Sequence, residues 1–178
     1  MALEIFLSTG WNGNKRLIKR QMVFISRLDS KEYKSAKEQI SVRELIREII
    51  ATYSTRLEEK RIEVNVNCGT DFLIYGDKGL IEKAFSNLVA NAADHNRYEG
   101  RIRIDIEKDK CVIQNTGEKI PEEDLPHVCE LFFTGSKSRG GGEKHLGAGL
   151  YLAEKIFRED GLRMKVENTE DGVRVIVR

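Results

Sequence analysis

Asn87, Asn91 and Asp94 recur at intervals of four and three residues, the spacing that lines side chains along one face of a helix. Leu80, Ile81, Ala84, Phe85, Leu88, Val89 and Ala92 share that segment, so the polar row runs along the border of an apolar stripe. Amides at the rim of a core can face a ligand packed there. An asparagine carbonyl is a neutral, hard oxygen, suited to a Mg²⁺ ion already shared with phosphates. Two solvated asparagines on a surface helix satisfy the same spacing. Further along, Asn115-Thr116-Gly117 follows a strand-like run that ends at Gln114. A side-chain acceptor there can take the exocyclic amine of adenine, and a glycine lets backbone approach the base. An ordinary turn is the competing reading. Gly147-Ala148-Gly149-Leu150 then opens a helix after a glycine-rich stretch, where free amides and the helix dipole attract phosphate. A flexible linker before a capped helix reads the same way, and neither a dinucleotide fingerprint nor GxxxxGK[ST] is present.

The elements that must position these groups are legible from periodicity. Leu17, Ile18, Met22, Ile25 and Leu28 predict an amphipathic helix over Lys15–Leu28, and the charged residues from Asp29 to Lys37 predict a linker. Ser41-Val42-Arg43-Glu44 is a capping box opening a helix to about Glu59. Alternation at Ile62, Val64 and Val66 predicts a strand, with a second over Phe72–Tyr75. Asp77 is positioned to cap the helix that carries the asparagines, which runs to about His95. Strands are expected near Arg101–Glu107, Cys111–Gln114, Leu162–Glu167 and Val173–Val177, with a short helical piece over Pro121–His127 and a helix over Ala148–Glu159. Strands and helices in this order predict an α+β fold, a mixed sheet covered by helices.

At 178 residues the chain fits one domain plus an appendage. Its 30 Lys and Arg against 29 Asp and Glu exclude the lopsided basic charge of a nucleic-acid binder. No apolar run approaches the length that spans a bilayer. Three scattered cysteines, Cys68, Cys111 and Cys129, form no CxxC pair and predict reduced thiols in a cytoplasmic protein.

In this order and spacing the motifs resemble those of sensor histidine kinase catalytic domains, members of the GHKL ATPases. Asn87-Leu88-Val89-Ala90-Asn91-Ala92 resembles the N box and Asn115-Thr116-Gly117-Glu118-Lys119-Ile120-Pro121 the G1 box. Glu130-Leu131-Phe132-Phe133 is similar to the F box, and Gly147-Ala148-Gly149-Leu150-Tyr151-Leu152-Ala153 to the G2 box. The resemblance covers roughly residues 40–178. It implies a two-layer α/β sandwich with helices on one face of a mixed sheet. Residues 1–38 would form an N-terminal segment with a partial dimerisation-type helix, and residues 39–178 an ATP-binding catalytic domain.

What the resemblance implies about the site is specific. Asn87 and Asn91 would be catalytic, with Asn91 the Mg²⁺ ligand. Asn87, Asn91, His95, Asn115, Gly117, Thr134, Lys137, Arg139, Gly147, Gly149 and Leu150 would contact the nucleotide. Asn115 replaces the family's adenine-binding Asp but keeps an acceptor, while Lys119 and His145 stand where glycines are usual. Asp94 stands where many relatives carry a phosphate-facing Lys, which would bring a carboxylate toward the phosphates; Lys137 and Arg139 are the substitute cations. Asn87 occupies the place of the water-activating Glu of the hydrolases, and an amide is no general base. Phosphoryl transfer to a histidine is therefore the expected reaction. His95, His127 and His145 all lie outside an H-box context, so the acceptor is expected on a dimerisation domain absent from this chain, which makes the chain a fragment or a partner acting in trans. Implied partners are ATP, that histidine-bearing domain, a response regulator, and a second copy in a homodimer; nucleic acid is not among them. The alternatives are a non-catalytic interaction module with a degenerate pocket, or a serine kinase of the anti-sigma-factor type.

Overall fold

The computed structural model describes residues 23–26, 36–131, 133 and 148–178. Two compact units are present, Met1–Ser35 and Ala36–Arg178. In the first, residues 23–26 are helical; the rest of the helix expected over Lys15–Leu28 lies outside the described residues.

The second unit opens with β1 (Lys37–Ser41), which pairs antiparallel with β3 (Leu73–Asp77) from Lys37↔Asp77 to Ser41↔Leu73. The sequence predicts a linker up to Lys37 and no strand here. With one buried apolar residue, Ile40, β1 has almost no local signal and owes its form to its partner. Ser41 caps α1 (Val42–Thr52) by accepting from Glu44 N at 3.2 Å, while its own hydroxyl donates to Asp71 at 2.6 Å. The single helix expected through Glu59 breaks at Tyr53, and α2 (Ser54–Glu59) follows. Thr52 turns its hydroxyl back to the Glu48 carbonyl at 3.0 Å, and Tyr53 N–H is shared between the carbonyls of Ile49 and Ile50. Such local bonds compete with helix propagation.

β2 (Glu63–Cys68) lies parallel to β4 (Arg101–Glu107), and β4 antiparallel to β5 (Lys110–Thr116). β7 (Gly172–Val177) joins β5, and β6 (Met164–Asn168) forms the edge, giving a mixed sheet of order β2-β4-β5-β7-β6. Between β3 and β4 runs α3 (Lys78–Asp94), and α4 (Gly149–Glu159) precedes β6. Only Leu125–His127 of the helical piece expected after Pro121 is regular, as one 3₁₀ turn.

Alternation along β4 buries Ile102, Ile104 and Ile106, and β5 adds Cys111 and Ile113. The core continues through Phe85 and Leu88 of α3, Leu152, Ile156 and Phe157 of α4, and Leu45, Ile46 and Ile49 of α1. Phe85 and Phe157 meet edge to face, with centroids 5.1 Å apart. The strand positions between carry Arg103 and Asp105, which bond each other, Gln114, which donates to Asp171, and Arg174, which donates to Glu167. Helices thus cover one face of the sheet, the two-layer architecture the sequence predicts.

Candidate nucleotide site

α3 is held at both ends. Asp77 accepts from Leu80 N at 3.0 Å, the expected N-cap. At the other end the Lys60 ammonium donates to the carbonyls of Ala93 and Asp94 at 2.8 and 2.7 Å, satisfying acceptors that the helix leaves unpaired. Leu80, Ile81, Ala84, Phe85, Leu88, Val89, Ala92 and Ala93 are buried, which leaves Asn87 and Asn91 half-buried at the edge of the stripe.

The start of α4 lies against that edge. A Cβ built on Gly149 would sit 3.9 Å from Cβ and Cγ of Asn87 and 4.0 Å from Oδ1 of Asn91. Ala148, the N-cap, brings no side-chain acceptor to the first-turn amides. Asn87 Nδ2 is buried and has no hydrogen-bond partner among the described residues. A buried amide donor, uncapped helix amides and an asparagine carbonyl therefore converge, a set that suits a phosphate chain carrying a cation. Leu150 follows on α4, half-buried.

The second cluster sits at the end of β5. Asn115 is 7% exposed and donates through Nδ2 to the Thr116 carbonyl at 3.0 Å, which leaves Oδ1 as its remaining acceptor. Gly117 has φ +146°, and a Cβ there would fall 2.2 Å from the carbonyl oxygen of His95. Only glycine fits so close to that backbone. His95 is the C-cap of α3 and donates its N–H to the Asn91 carbonyl at 3.0 Å. The structure thus joins Asn87, Asn91 and Gly149 in one group and His95, Asn115 and Gly117 in another, with α3 linking the two. Thr134, Lys137, Arg139 and Gly147, also expected in the site, lie outside the described residues.

Asp94 continues the asparagine row by its spacing, where the resemblance implies a carboxylate toward the phosphates. Its side chain is instead 6% exposed and ion-paired to Arg56 of α2. Helical spacing puts the three residues on one line, but a cation from another helix, 38 positions earlier in sequence, neutralises the last. Arg56→Met is expected to destabilise the fold by about 2 kcal/mol, less than for a fully buried pair because the guanidinium is 38% exposed. Urea unfolding reads this out. Adding Asp94→Asn should recover part of the loss, and a double variant as unstable as Arg56→Met alone would show that the pairing is immaterial.

Among the described residues, no group of three or more His, Cys, Asp or Glu side chains is arranged to hold a metal ion, so a cation depends on carboxamide oxygen and on oxygens that a ligand brings. Mg²⁺ fits that donor set, because it is usually held by few protein oxygens together with phosphate and water. Burial and then the Glu154 charge push the Cys129 thiol up to about 11, and burial raises Cys111 as well. Neither is a thiolate nucleophile at neutral pH.

Residues that sequence reasoning missed frame the site. Arg56 is one. Asn96 and Thr116 bond each other at 2.6 Å. Asn168 holds the Ile120 backbone, donating to its carbonyl at 2.7 Å and accepting from its N–H at 2.9 Å, and so ties the irregular segment following Gly117 to the end of β6. Each pairs with a residue far away in sequence, and no local pattern marks it.

Residues 76–178 match the family described as "Histidine kinase-, DNA gyrase B-, and HSP90-like ATPase". The sensor protein CzcS of Cupriavidus metallidurans is 26% identical over 144 residues, covering 79% of this chain and 30% of its own length. This chain thus spans under a third of that relative. The nucleotide-free catalytic domain of histidine kinase ThkA has the same fold, with a TM-score of 0.69 at 28% identity over 80% of this chain and 93% of that one. ThkA in complex with the response regulator TrrA is similar in fold, with a TM-score of 0.68 at 23% identity over 96% of this chain and 51% of that one.

Proposed function

The chain belongs to the family of histidine kinase-, DNA gyrase B- and HSP90-like ATPases, and on that premise we propose that it binds Mg·ATP and passes the γ-phosphoryl group to a histidine on a separate dimerisation domain. The observation that carries this reading is the convergence of Asn87, Asn91 and the uncapped start of α4 at Gly149. In it, Asn91 Oδ1 holds the cation, Asn87 Nδ2 donates to a phosphate oxygen, and the first amides of α4 bind the same chain of phosphates. Bound Mg²⁺ would neutralise charge on the β- and γ-oxygens. Asn115 Oδ1 accepts from the adenine amine, and Gly117 admits the base. Thr134, Gly147 and the two cations Lys137 and Arg139 complete the phosphate side.

The reaction follows from what Asn87 cannot do. A carboxamide takes no proton from water, so hydrolysis has no base at this position. A neutral imidazole needs none to attack. Its nitrogen forms the new P–N bond as the bond from γ-phosphorus to the bridging oxygen breaks, ADP leaves with that electron pair, and the ring's other N–H proton is later lost to solvent. Positioning is then most of the catalysis.

By analogy with ThkA, which has been solved with TrrA, the phosphohistidine would pass its group to a response regulator, and a homodimer would bring acceptor and donor domains together. The cytoplasm, where ATP is abundant, is the compartment this requires. The degenerate-pocket alternative loses one of its supports, since Arg56 compensates Asp94.

Incubation with γ-labelled Mg·ATP and a separately produced dimerisation domain tests the reading. Label on that domain that is lost in acid is expected. Acid-stable label would indicate a hydroxyl acceptor, and no label would remove the kinase assignment.

A further inference from the structure

We propose that Lys60, which lies outside the site, is a positioning residue that keeps the asparagines of α3 in register with the base side at Asn115 and Gly117. The inference rests on the nucleotide-binding reading above and deepens it by naming what aligns the two halves of the site.

Lys60 is the C-cap of α2 and is half-buried. Its ammonium donates to two backbone carbonyls in the last turn of α3, Ala93 at 2.8 Å and Asp94 at 2.7 Å. A helix leaves such carbonyls without an internal partner, and a cation at a helix C-terminus also complements the dipole. One turn earlier in α2, Arg56 pairs with the Asp94 side chain. Two cations four residues apart thus grip Asp94, one by its side chain and one by its backbone. Lys60 also holds the far end of the loop that follows α3, because its own carbonyl accepts from Glu99 N–H at 2.9 Å. Arg61, next in the chain, and Glu99 have φ of +51° and +53°, a left-handed geometry that non-glycine residues adopt at a cost. A chain takes it twice at one junction only where the surrounding fold enforces it.

The bracketed loop joins the two clusters. It starts at His95, whose N–H bonds the Asn91 carbonyl at 3.0 Å and whose own carbonyl oxygen lies 2.2 Å from where a Cβ on Gly117 would fall. It continues into Asn96, which receives the Thr116 hydroxyl at 2.6 Å. The path from the α3 carboxamides to the end of β5 therefore runs through a loop that Lys60 pins at its start and at its end. Asn87 and Asn91 stand further up α3, and Asn115 is fixed by its pairing in β5. Removing the ammonium leaves each cluster intact and frees one to shift against the other. A ligand that spans both, base and phosphates together, feels that shift. A ligand on the phosphate side alone does not.

Lys60→Met keeps the aliphatic stem and removes the cation. Titrations followed by NMR, with Mg·ATP and with Mg·tripolyphosphate, which has no base, give the ratio of the two affinities. Mg·ATP should bind the variant about tenfold more weakly than the wild type, the scale of one charge-assisted hydrogen bond. Mg·tripolyphosphate should bind both proteins alike, so the ratio falls by the same factor. Lys60→Arg, whose planar fork offers two donors to the two carbonyls, should restore it. An unchanged ratio in Lys60→Met would overturn the proposal, whether both ligands keep their affinity or lose it in proportion, since a general loss of structure does not distinguish them. If circular dichroism shows that variant unfolded, Lys60→Gln, which keeps a neutral donor, carries the same expectation at about threefold. Failure of the wild type to bind Mg·ATP would instead sink the nucleotide-binding reading itself.

Discussion

Asn91→Ala is expected to abolish the Mg²⁺-dependent part of nucleotide binding while leaving a weak, Mg²⁺-independent affinity. Of the side chains that face the start of α4, Asn91 brings its carbonyl oxygen closest to Gly149, at 4.0 Å from the position of a Cβ. With no cluster of acidic or imidazole ligands among the described residues, the cation has little other protein support. Alanine removes that oxygen without disturbing the stripe beneath, because Leu88 and Ala92 beside it stay packed. The base cluster at Asn115 and Gly117 is untouched. Titration with Mg·ATP and with ATP in EDTA separates the two terms: the wild type should bind better with Mg²⁺, and the variant equally in both. Unchanged Mg²⁺-dependent affinity would remove Asn91 from the metal position.

Gly117→Ala is expected to be at least as damaging, by a different route. A side chain at φ +146° is strained, and the added carbon would overlap the His95 carbonyl at 2.2 Å. Backbone at a helix end cannot swing aside as a flexible side chain can. The strand end must lift away from α3, or α3 must shorten, and either change separates Asn115 from Asn91. The cost is about 2–4 kcal/mol of stability together with loss of detectable ATP binding, in Mg²⁺ and in EDTA alike. A thermal melt with a calorimetric titration of the same sample reads both. Wild-type affinity in this variant would mean that the base does not lie over Gly117.

Much of this was legible before the structure. The buried stripe of α3, its Asp77 cap and the border position of Asn87 and Asn91 are local properties, set by 3.6-residue periodicity and by capping chemistry. Gly117 and Gly149 were marked by their contexts, at a strand end and a helix start. The rest is tertiary. β1 exists because β3 lies beside it, and its sequence holds one buried apolar residue, Ile40. Asp94 falls on the asparagine line in helical projection, yet a salt bridge from Arg56 decides its role. Asn96, in the loop between α3 and β4, meets Thr116 at the end of β5 only in the folded chain.

On the proposed reading, carboxamides on α3 and the first amides of α4 form a Mg·ATP site. Isothermal titration of the wild-type chain with a non-hydrolysable ATP analogue tests it most directly. One saturable site per chain, tightened by Mg²⁺ and weakened when EDTA replaces it, is the predicted result. Heats that never saturate, with or without the cation, would contradict it.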